Sequence, residues 1–258
     1  MADAPGVSCS VADSSQRLEL SAPDSLINAE LHRMRGDLRP LVRPVVVLGG
    51  WRSPHFMAGA LARRIRSLTS GDRGDFLCVS YPLAASVESA ASAVRRRLGR
   101  WRPESPGLRE VDVVAISMGG LVARYIASHP REYSEVRICR LFTFSTPHAG
   151  AMLARWIRPD RAAAAMMPGS PLIQQLHEAC GDPARAPEEI VCYVQRLDWW
   201  IGTWNAAPPG HELRWVRTRG PFSAAFSHFS SHRHPTLIVD VARRLRGEPG
   251  LDQVTSAA

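Results

Sequence analysis

Ser117 stands between an apolar segment, residues 111–116, and a glycine-rich segment, residues 118–121. When a strand turns sharply into a helix at a serine, the positions two before and two after must be small, so that strand and helix can approach. Ala115 and Gly119 meet that requirement. The start of a helix also favours developing negative charge. The pattern predicts a nucleophile elbow with Ser117 as the nucleophile, and the competing interpretation is a serine that caps an ordinary helix.

The elements around Ser117 follow a regular order. Short apolar runs alternate with amphipathic segments, which is typical of a mostly parallel sheet with helices on both faces. The predicted strands cover residues 44–48, 76–80, 111–116, 139–144, 189–194 and 212–217. The predicted helices cover residues 55–69, 84–100, 119–128, 150–156, 171–179 and 235–246. An earlier helix is expected after a capping box at Ser21 to Asp24.

Length and composition indicate one domain. A chain of 258 residues with 45% hydrophobic content can bury one sizeable core. We expect residues 1–20 to be disordered and residues 21–258 to form a single α/β domain. The sequence contains no run of eighteen apolar residues and no visible signal peptide, so we expect no transmembrane segment and a cytoplasmic location.

Charge and cysteine content predict neither a nucleic-acid partner nor a metal site. The net charge is +8, and all 32 basic residues are arginines whose dense runs fall at the ends of predicted helices. No nucleic-acid-binding motif is present. The five cysteines include no CxxC pair. The cluster His228, His232 and His234 lacks the further ligand and the water-activating carboxylate of a catalytic zinc site, so no metal or cofactor is expected.

Four segments, in order along the chain, resemble bacterial lipases and related esterases, including the branch of GPI inositol-deacylase-like proteins. They are residues 45–51, 112–125, 142–150 and 167–172. The resemblance spans about residues 43–246 and implies an α/β-hydrolase fold of about six strands, with a small cap within residues 151–188. Two positions depart from the family. Ala115 replaces the first glycine of G-x-S-x-G, and Gly49 replaces the histidine of the oxyanion loop.

In this fold the catalytic residues follow the order serine, acid, histidine along the chain. Asp198 comes just after the predicted strand 189–194, where the relatives carry an aspartate followed by an apolar stretch. Glu212 is the weaker rival. Acidic residues ahead of that strand cannot easily reach the carboxyl edge of the sheet.

Four histidines follow the proposed acid: His211, His228, His232 and His234. The chain order alone does not choose among them. In the lipase-like relatives the catalytic histidine stands in a loop, a few residues before a proline or acidic residue that opens the last helix. The resemblance therefore favours His228, which lies seven residues before Pro235, with His232 second.

The resemblance implies hydrolysis of a small-molecule or lipid carboxylic ester through an acyl-enzyme on Ser117. The backbone N–H groups of Met118 and Trp51 are expected to bind the oxyanion. Apolar cap residues are available to line an acyl site, namely Met152, Leu153, Trp156, Met166, Met167, Leu172 and Ile173. The alternatives are an acyltransferase or amidase that uses the same triad, and a non-catalytic relative that only binds.

Overall fold

The computed structural model describes residues 17–101, 108–156, 160–218 and 223–255. Its centre is a seven-stranded sheet with strand order β1-β7-β6-β5-β4-β2-β3, in which every neighbouring pair is parallel. The strands are β1 Arg17–Glu19, β2 Val45–Leu48, β3 Phe76–Val79, β4 Arg109–Ile116, β5 Val136–Phe144, β6 Glu189–Gln195 and β7 Leu213–Val216. The six predicted strands are thus confirmed.

Helices cover both faces of the sheet. The α-helices are α1 Asp24–Gly36, α2 His55–Arg66, α3 Val87–Leu98, α4 Met118–Ser128, α5 Arg161–Ala165, α6 Pro171–Cys180, α7 Ser223–Ser230, α8 Pro235–Leu245 and α9 Leu251–Thr255. Short 3₁₀ helices occupy Met152–Trp156, Thr203–Ala206 and Ser231–Arg233. Helices α3, α4 and α6 pack on one face, and α1, α2, α8 and α9 pack on the other.

Strand β2 shows why the apolar runs form the centre of the sheet. All four of its side chains are buried. Val45 and Val47 belong to the core on the α8 side, whereas Val46 and Leu48 belong to the core on the α4 side. A parallel strand covered on both faces favours apolar side chains, because the burial of each such side chain stabilises the fold by roughly 1.5–3 kcal/mol.

The amino-terminal part of the described chain differs from the expectation. Arg17–Glu19, inside the segment expected to be disordered, form β1 and pair with β7, and the N–H of Leu20 extends the pairing to Trp215 O at 2.9 Å. The exposed edge of β7 supplies the hydrogen-bonding partners that the short segment lacks by itself. Residues 1–16 lie outside the described residues. The predicted capping box is wrong, because Pro23 occupies the N-cap of α1 and makes no side-chain cap hydrogen bond.

A buried carboxylate ties β6 to the helices beneath it. Asp240, on α8, is fully buried. It accepts hydrogen bonds from the hydroxyl of Tyr193 on β6, from Arg244 Nε at 3.0 Å and from the backbone N–H of Leu251 at the start of α9. Strand β6, helix α8 and helix α9 therefore share one acceptor.

Replacing Asp240 with alanine leaves the Tyr193 hydroxyl and the N–H of Leu251 without their buried acceptor. We predict that Asp240→Ala lowers the free energy of unfolding by about 3 kcal/mol, since breaking a buried charged network is strongly destabilising. Urea denaturation followed by circular dichroism measures this change. Glu178→Ala, at an exposed position on α6, is the control and should change the value by less than about 0.5 kcal/mol. Equal stability of the two variants would contradict the prediction.

Candidate active site

Ser117 occupies a strained turn between β4 and α4. Its backbone has φ 52° and ψ −124°, a conformation that residues other than glycine rarely adopt. The turn is held by the N–H of Ser117, which donates to Phe144 O of β5 at 2.8 Å. Backbone strain of this kind costs roughly 1–3 kcal/mol and is concentrated at functional sites.

The glycines after Ser117 allow the backbone of α4 to approach its neighbours. A Cβ atom at Gly119 would lie 2.7 Å from the carbonyl oxygen of Gly49. One at Gly120 would lie 2.3 Å from Thr146 Oγ1, and that hydroxyl donates to Ser117 O at 2.7 Å. The methyl group of Ala115, two residues before the serine, is fully buried in the core.

The structure brings Ser117, His228 and Asp198 together in one chain of contacts. His228 Nε2 lies 3.0 Å from Ser117 Oγ, and His228 Nδ1 lies 3.1 Å from Asp198 Oδ2. Asp198 is fully buried and His228 is nearly so. Because a carboxylate only accepts hydrogen bonds, Nδ1 carries the proton in neutral His228 and Nε2 accepts from the serine hydroxyl.

Asp198 lies three residues beyond β6, in a turn that orients its side chain. The N–H of Asp198 donates to Gln195 O at 3.1 Å, and the N–H of Gly202 donates to Asp198 O at 3.1 Å. The rival acid, Glu212, instead pairs with Arg214 at 3.1 Å.

His228 lies on helix α7, although the sequence predicts a loop there. This helix is fixed to the end of β6 by Gln195, whose amide Nε2 donates to Ser227 O at 3.0 Å and to Ser230 Oγ at 2.9 Å. Ser227 Oγ in turn donates to Leu197 O at 2.7 Å. Gln195 is a positioning residue that sequence reasoning missed, and its signal was an amide side chain directly after the apolar run 190–194.

The other candidate base, His232, lies in the 3₁₀ helix Ser231–Arg233 and is buried. Burial, with smaller contributions from Arg233 and Arg64, lowers the pKa of His232 to about 4. His232 is therefore neutral at pH 7, and His228 is the histidine that contacts both Ser117 and Asp198.

The loop after β2 lies against the nucleophile. A Cβ atom at Gly50 would lie 3.2 Å from Ser117 Cβ, so the backbone of this loop packs directly on the serine. Trp51, the next residue, packs against the core and lines the cavity beside Ser117. Met118 is the first residue of α4, and an N–H at this position has no partner within its own helix.

A hydrogen bond from Tyr81 holds the same loop. Its hydroxyl donates to the carbonyl oxygen of Gly49, and the N–H of Gly49 donates to Val79 O at 2.9 Å. The Tyr81 side chain is buried, and burial raises the pKa of its hydroxyl. Sequence reasoning missed Tyr81, because nothing in the segment after β3 marks the contact.

Beside Ser117 and His228 lies an apolar cavity of about 260 Å³. Two of the predicted cap residues, Leu153 and Met166, line it. Leu172 and Ile173 are instead buried in the core between α6 and α4, while Met152 and Trp156 are exposed. The remaining lining residues are mostly apolar and include Pro147, Ala151, Ala154, Ala163, Trp200, Ile201 and Phe229.

Two further observations concern the described part of the chain. Within it, no group of three or more histidine, cysteine, aspartate or glutamate side chains is arranged to hold a metal ion. Nor does any helix there combine the length and the apolar character needed to cross a membrane.

Known proteins resemble this chain in sequence or in structure. The model of the PGAP1-like alpha/beta domain family matches residues 82–156. The mature lipase BlEst2 of Bacillus licheniformis is 16% identical, over 81% of this chain and 94% of that chain, with a TM-score of 0.58. The metagenomic carboxyl esterase MGS0156 is 10% identical, over 81% and 78% of the two chains, with a TM-score of 0.52.

Aspergillus fumigatus lipase B is 15% identical and has a TM-score of 0.52, over 84% of this chain and 54% of that chain. A search of curated protein sequences found no match. At these identities the structural similarity defines the fold, which is the α/β-hydrolase fold. The fold class implied by the sequence is therefore confirmed, as is its resemblance to lipases and esterases of that fold and to PGAP1-like domains.

The close approach at Gly120 gives a test of the elbow. We predict that Gly120→Ala lowers the free energy of unfolding by about 2 kcal/mol, because the new methyl group overlaps Thr146. Gly181→Ala is the matched control, since a Cβ atom there has no neighbour within 4 Å and the backbone φ is −82°. Chemical denaturation of both variants is the measurement. Finding Gly120→Ala as stable as Gly181→Ala would show that the helix does not pack as closely as described.

Proposed function

We propose that this chain is a serine hydrolase that cleaves carboxylic esters through an acyl-enzyme. The observation that carries the proposal is the contact chain Asp198, His228 and Ser117, with Ser117 exposed to the apolar cavity at a strained elbow. A serine whose hydroxyl meets a histidine, and whose histidine is oriented by a buried carboxylate, is the arrangement required for nucleophilic catalysis.

In the proposed cycle, Ser117 Oγ attacks the acyl carbon while His228 Nε2 takes its proton. Asp198 keeps the Nδ1 proton in place and stabilises the imidazolium. Collapse of the tetrahedral intermediate breaks the bond to the alcohol oxygen, which receives the proton from His228. A water molecule, deprotonated by His228, then attacks the acyl-enzyme and releases the acid.

The oxyanion of each tetrahedral intermediate is proposed to accept hydrogen bonds from the backbone N–H groups of Met118 and Trp51. Each such donor typically contributes ~3 kcal/mol of transition-state stabilisation. The packing of Gly50 on Ser117 supports this assignment, because it brings the loop that carries Trp51 to the nucleophile. The apolar cavity is proposed to hold the acyl chain.

Removing the nucleophile tests the proposal. We predict that Ser117→Ala abolishes labelling by a fluorophosphonate and lowers kcat for p-nitrophenyl butyrate by about 10³-fold or more. The matched control is Ser145→Ala, at a buried serine that follows the neighbouring strand β5 and also has a positive φ, 51°. This control should retain labelling and hydrolysis.

Persistent labelling of Ser117→Ala would place the nucleophile elsewhere, and an absence of both labelling and hydrolysis in the unmodified protein would reject the proposed activity. Adding an alcohol to the assay separates the related reactions. A new ester formed from that alcohol would assign acyl transfer to the same serine.

The Tyr81 hydroxyl gives a second test, directed at the oxyanion loop. We predict that Tyr81→Phe lowers kcat about tenfold and changes KM little, because a loosened Trp51 N–H weakens the transition state more than the bound substrate. Tyr193→Phe is the control, since it also removes a buried phenol hydrogen bond but on the α8 side of β6. It should lower stability without this change in kcat. An effect of Tyr81→Phe on KM alone would contradict the proposed role of the loop.

A further inference from the structure

A second chamber adjoins the proposed acyl cavity. It has a volume of about 540 Å³ and lies between the oxyanion loop, residues 82–85 and the beginning of α5. Arg52 lines both the apolar cavity and this chamber, so its side chain borders both spaces. We call the second space the side chamber.

The charged residues distinguish the side chamber from the acyl cavity. Arg52, Asp160 and Arg161 line it, whereas among the described residues that line the apolar cavity only Arg52 is an arginine or an acidic residue. Among the described lining residues, two guanidinium groups stand against one carboxylate, which is a net charge of +1. Arg161 is exposed, and the Arg52 side chain is 64% exposed, so both can meet a ligand that enters from solvent.

The single carboxylate is already engaged on both of its oxygens. Asp160 Oδ1 accepts from the N–H groups of Ala162 and Ala163 at 2.8 Å and 3.2 Å. Asp160 Oδ2 accepts from Arg52 Nη2 at 2.8 Å. A guanidinium group has five N–H donors, so Arg52 keeps further donors for a second anion.

The position of the chamber indicates which part of a substrate would reach it. Arg52 directly follows Trp51, the proposed oxyanion donor. An ester held by Ser117 has two portions that diverge from its acyl carbon. If the apolar cavity holds the acyl chain, the alcohol portion points away from that cavity, and the side chamber, which shares Arg52 with the cavity, is proposed to receive it.

We propose that the side chamber binds the alcohol portion of the ester when that portion carries an anionic group, a carboxylate or a phosphate, through Arg52 and Arg161. This inference rests on the proposed esterase function and names the substrate class. Guanidinium groups match the planar oxygen pairs of carboxylates and phosphates with two parallel hydrogen bonds. Asp160 competes with the ligand for Arg52 and so limits its affinity.

The test uses three soluble phenyl butyrates that share one acyl chain. Their para substituents are methyl, carboxymethyl and phosphonomethyl, and the measured quantity is the kcat/KM of each charged ester divided by that of the methyl ester. The carboxymethyl and phosphonomethyl arms show which anion the chamber prefers. In the unmodified protein we expect at least one ratio to exceed about 5, as two charge-assisted hydrogen bonds at a solvent-exposed site would give.

Two variants should change the ratio of charged-ester kcat/KM to methyl-ester kcat/KM in opposite directions. Arg161→Gln is expected to lower it about fivefold. Asp160→Asn is expected to raise it about threefold, because it frees Arg52 while asparagine still caps α5. Arg131→Gln, an exposed arginine beyond the end of α4, is the control with the same loss of charge and should leave all three values unchanged. An ionic strength of about 1 M should abolish the preference, since charges are then screened beyond ~3 Å.

The outcomes separate the two proposals. If Ser117-dependent hydrolysis of the methyl ester is present but both ratios stay near 1, or if Arg161→Gln and Asp160→Asn do not alter them, the esterase proposal stands and the side chamber does not bind the alcohol portion. If no ester is cleaved, the proposed function itself fails. A separate experiment measures whether 4-hydroxybenzylphosphonate slows the labelling of Ser117 by the fluorophosphonate. Slower labelling in the unmodified protein, with a smaller effect in Arg161→Gln, would support an anion site in the side chamber. No effect on labelling would overturn the anion site.

Discussion

The candidate site depends on one close contact between backbones. Helix α4 begins so near to the loop after β2 that a Cβ atom at Gly119 would lie 2.7 Å from the carbonyl oxygen of Gly49. The same approach forces Ser117 into a positive φ, 52°, between a buried strand and the helix. Loosening this contact would relax the turn, withdraw the hydroxyl from His228 and separate the two N–H groups proposed to bind the oxyanion.

The parallel sheet brings most of the other groups of the candidate site together, because the carboxyl ends of its strands meet at one edge. The turn at Ser117 follows β4, Asp198 follows β6, and the loop at Gly49 follows β2. Tyr81, after β3, reaches sideways to that loop. The histidine of the site, His228, comes from helix α7, and the hydrogen bonds of Gln195 connect this helix to the end of β6. His228 is thus positioned by the same strand that positions Asp198.

Sequence reasoning succeeded where burial or sharp turns restrict the residue type. Apolar runs identified six strands because the middle of a doubly covered parallel strand is buried on both faces and favours apolar residues. Small residues around Ser117 predicted a sharp turn from strand to helix, and Ser117 lies between β4 and α4 with φ 52°. The features that the sequence did not predict depend on contacts between residues that are distant in the chain. Strand β1 forms only against the edge of β7, and Tyr81 differs from any other buried tyrosine only by its contact with Gly49. Such contacts leave no periodic signal.

Gly49 stands where the resemblance to bacterial lipases implies a histidine, and this difference affects how the loop responds to pH. An imidazole in that position would titrate near neutral pH. Here the loop is held by Tyr81, the pKa of whose hydroxyl is raised by burial, and by the pair of Arg52 with Asp160. Burial opposes ionisation of Asp160, but the N–H groups of Ala163 and Ala162 and the charge of Arg52 lower its pKa. Neither the Tyr81 hydroxyl nor the Asp160 carboxylate changes its charge near pH 7, so the loop can keep one geometry while His228 gains and loses a proton in the proposed cycle.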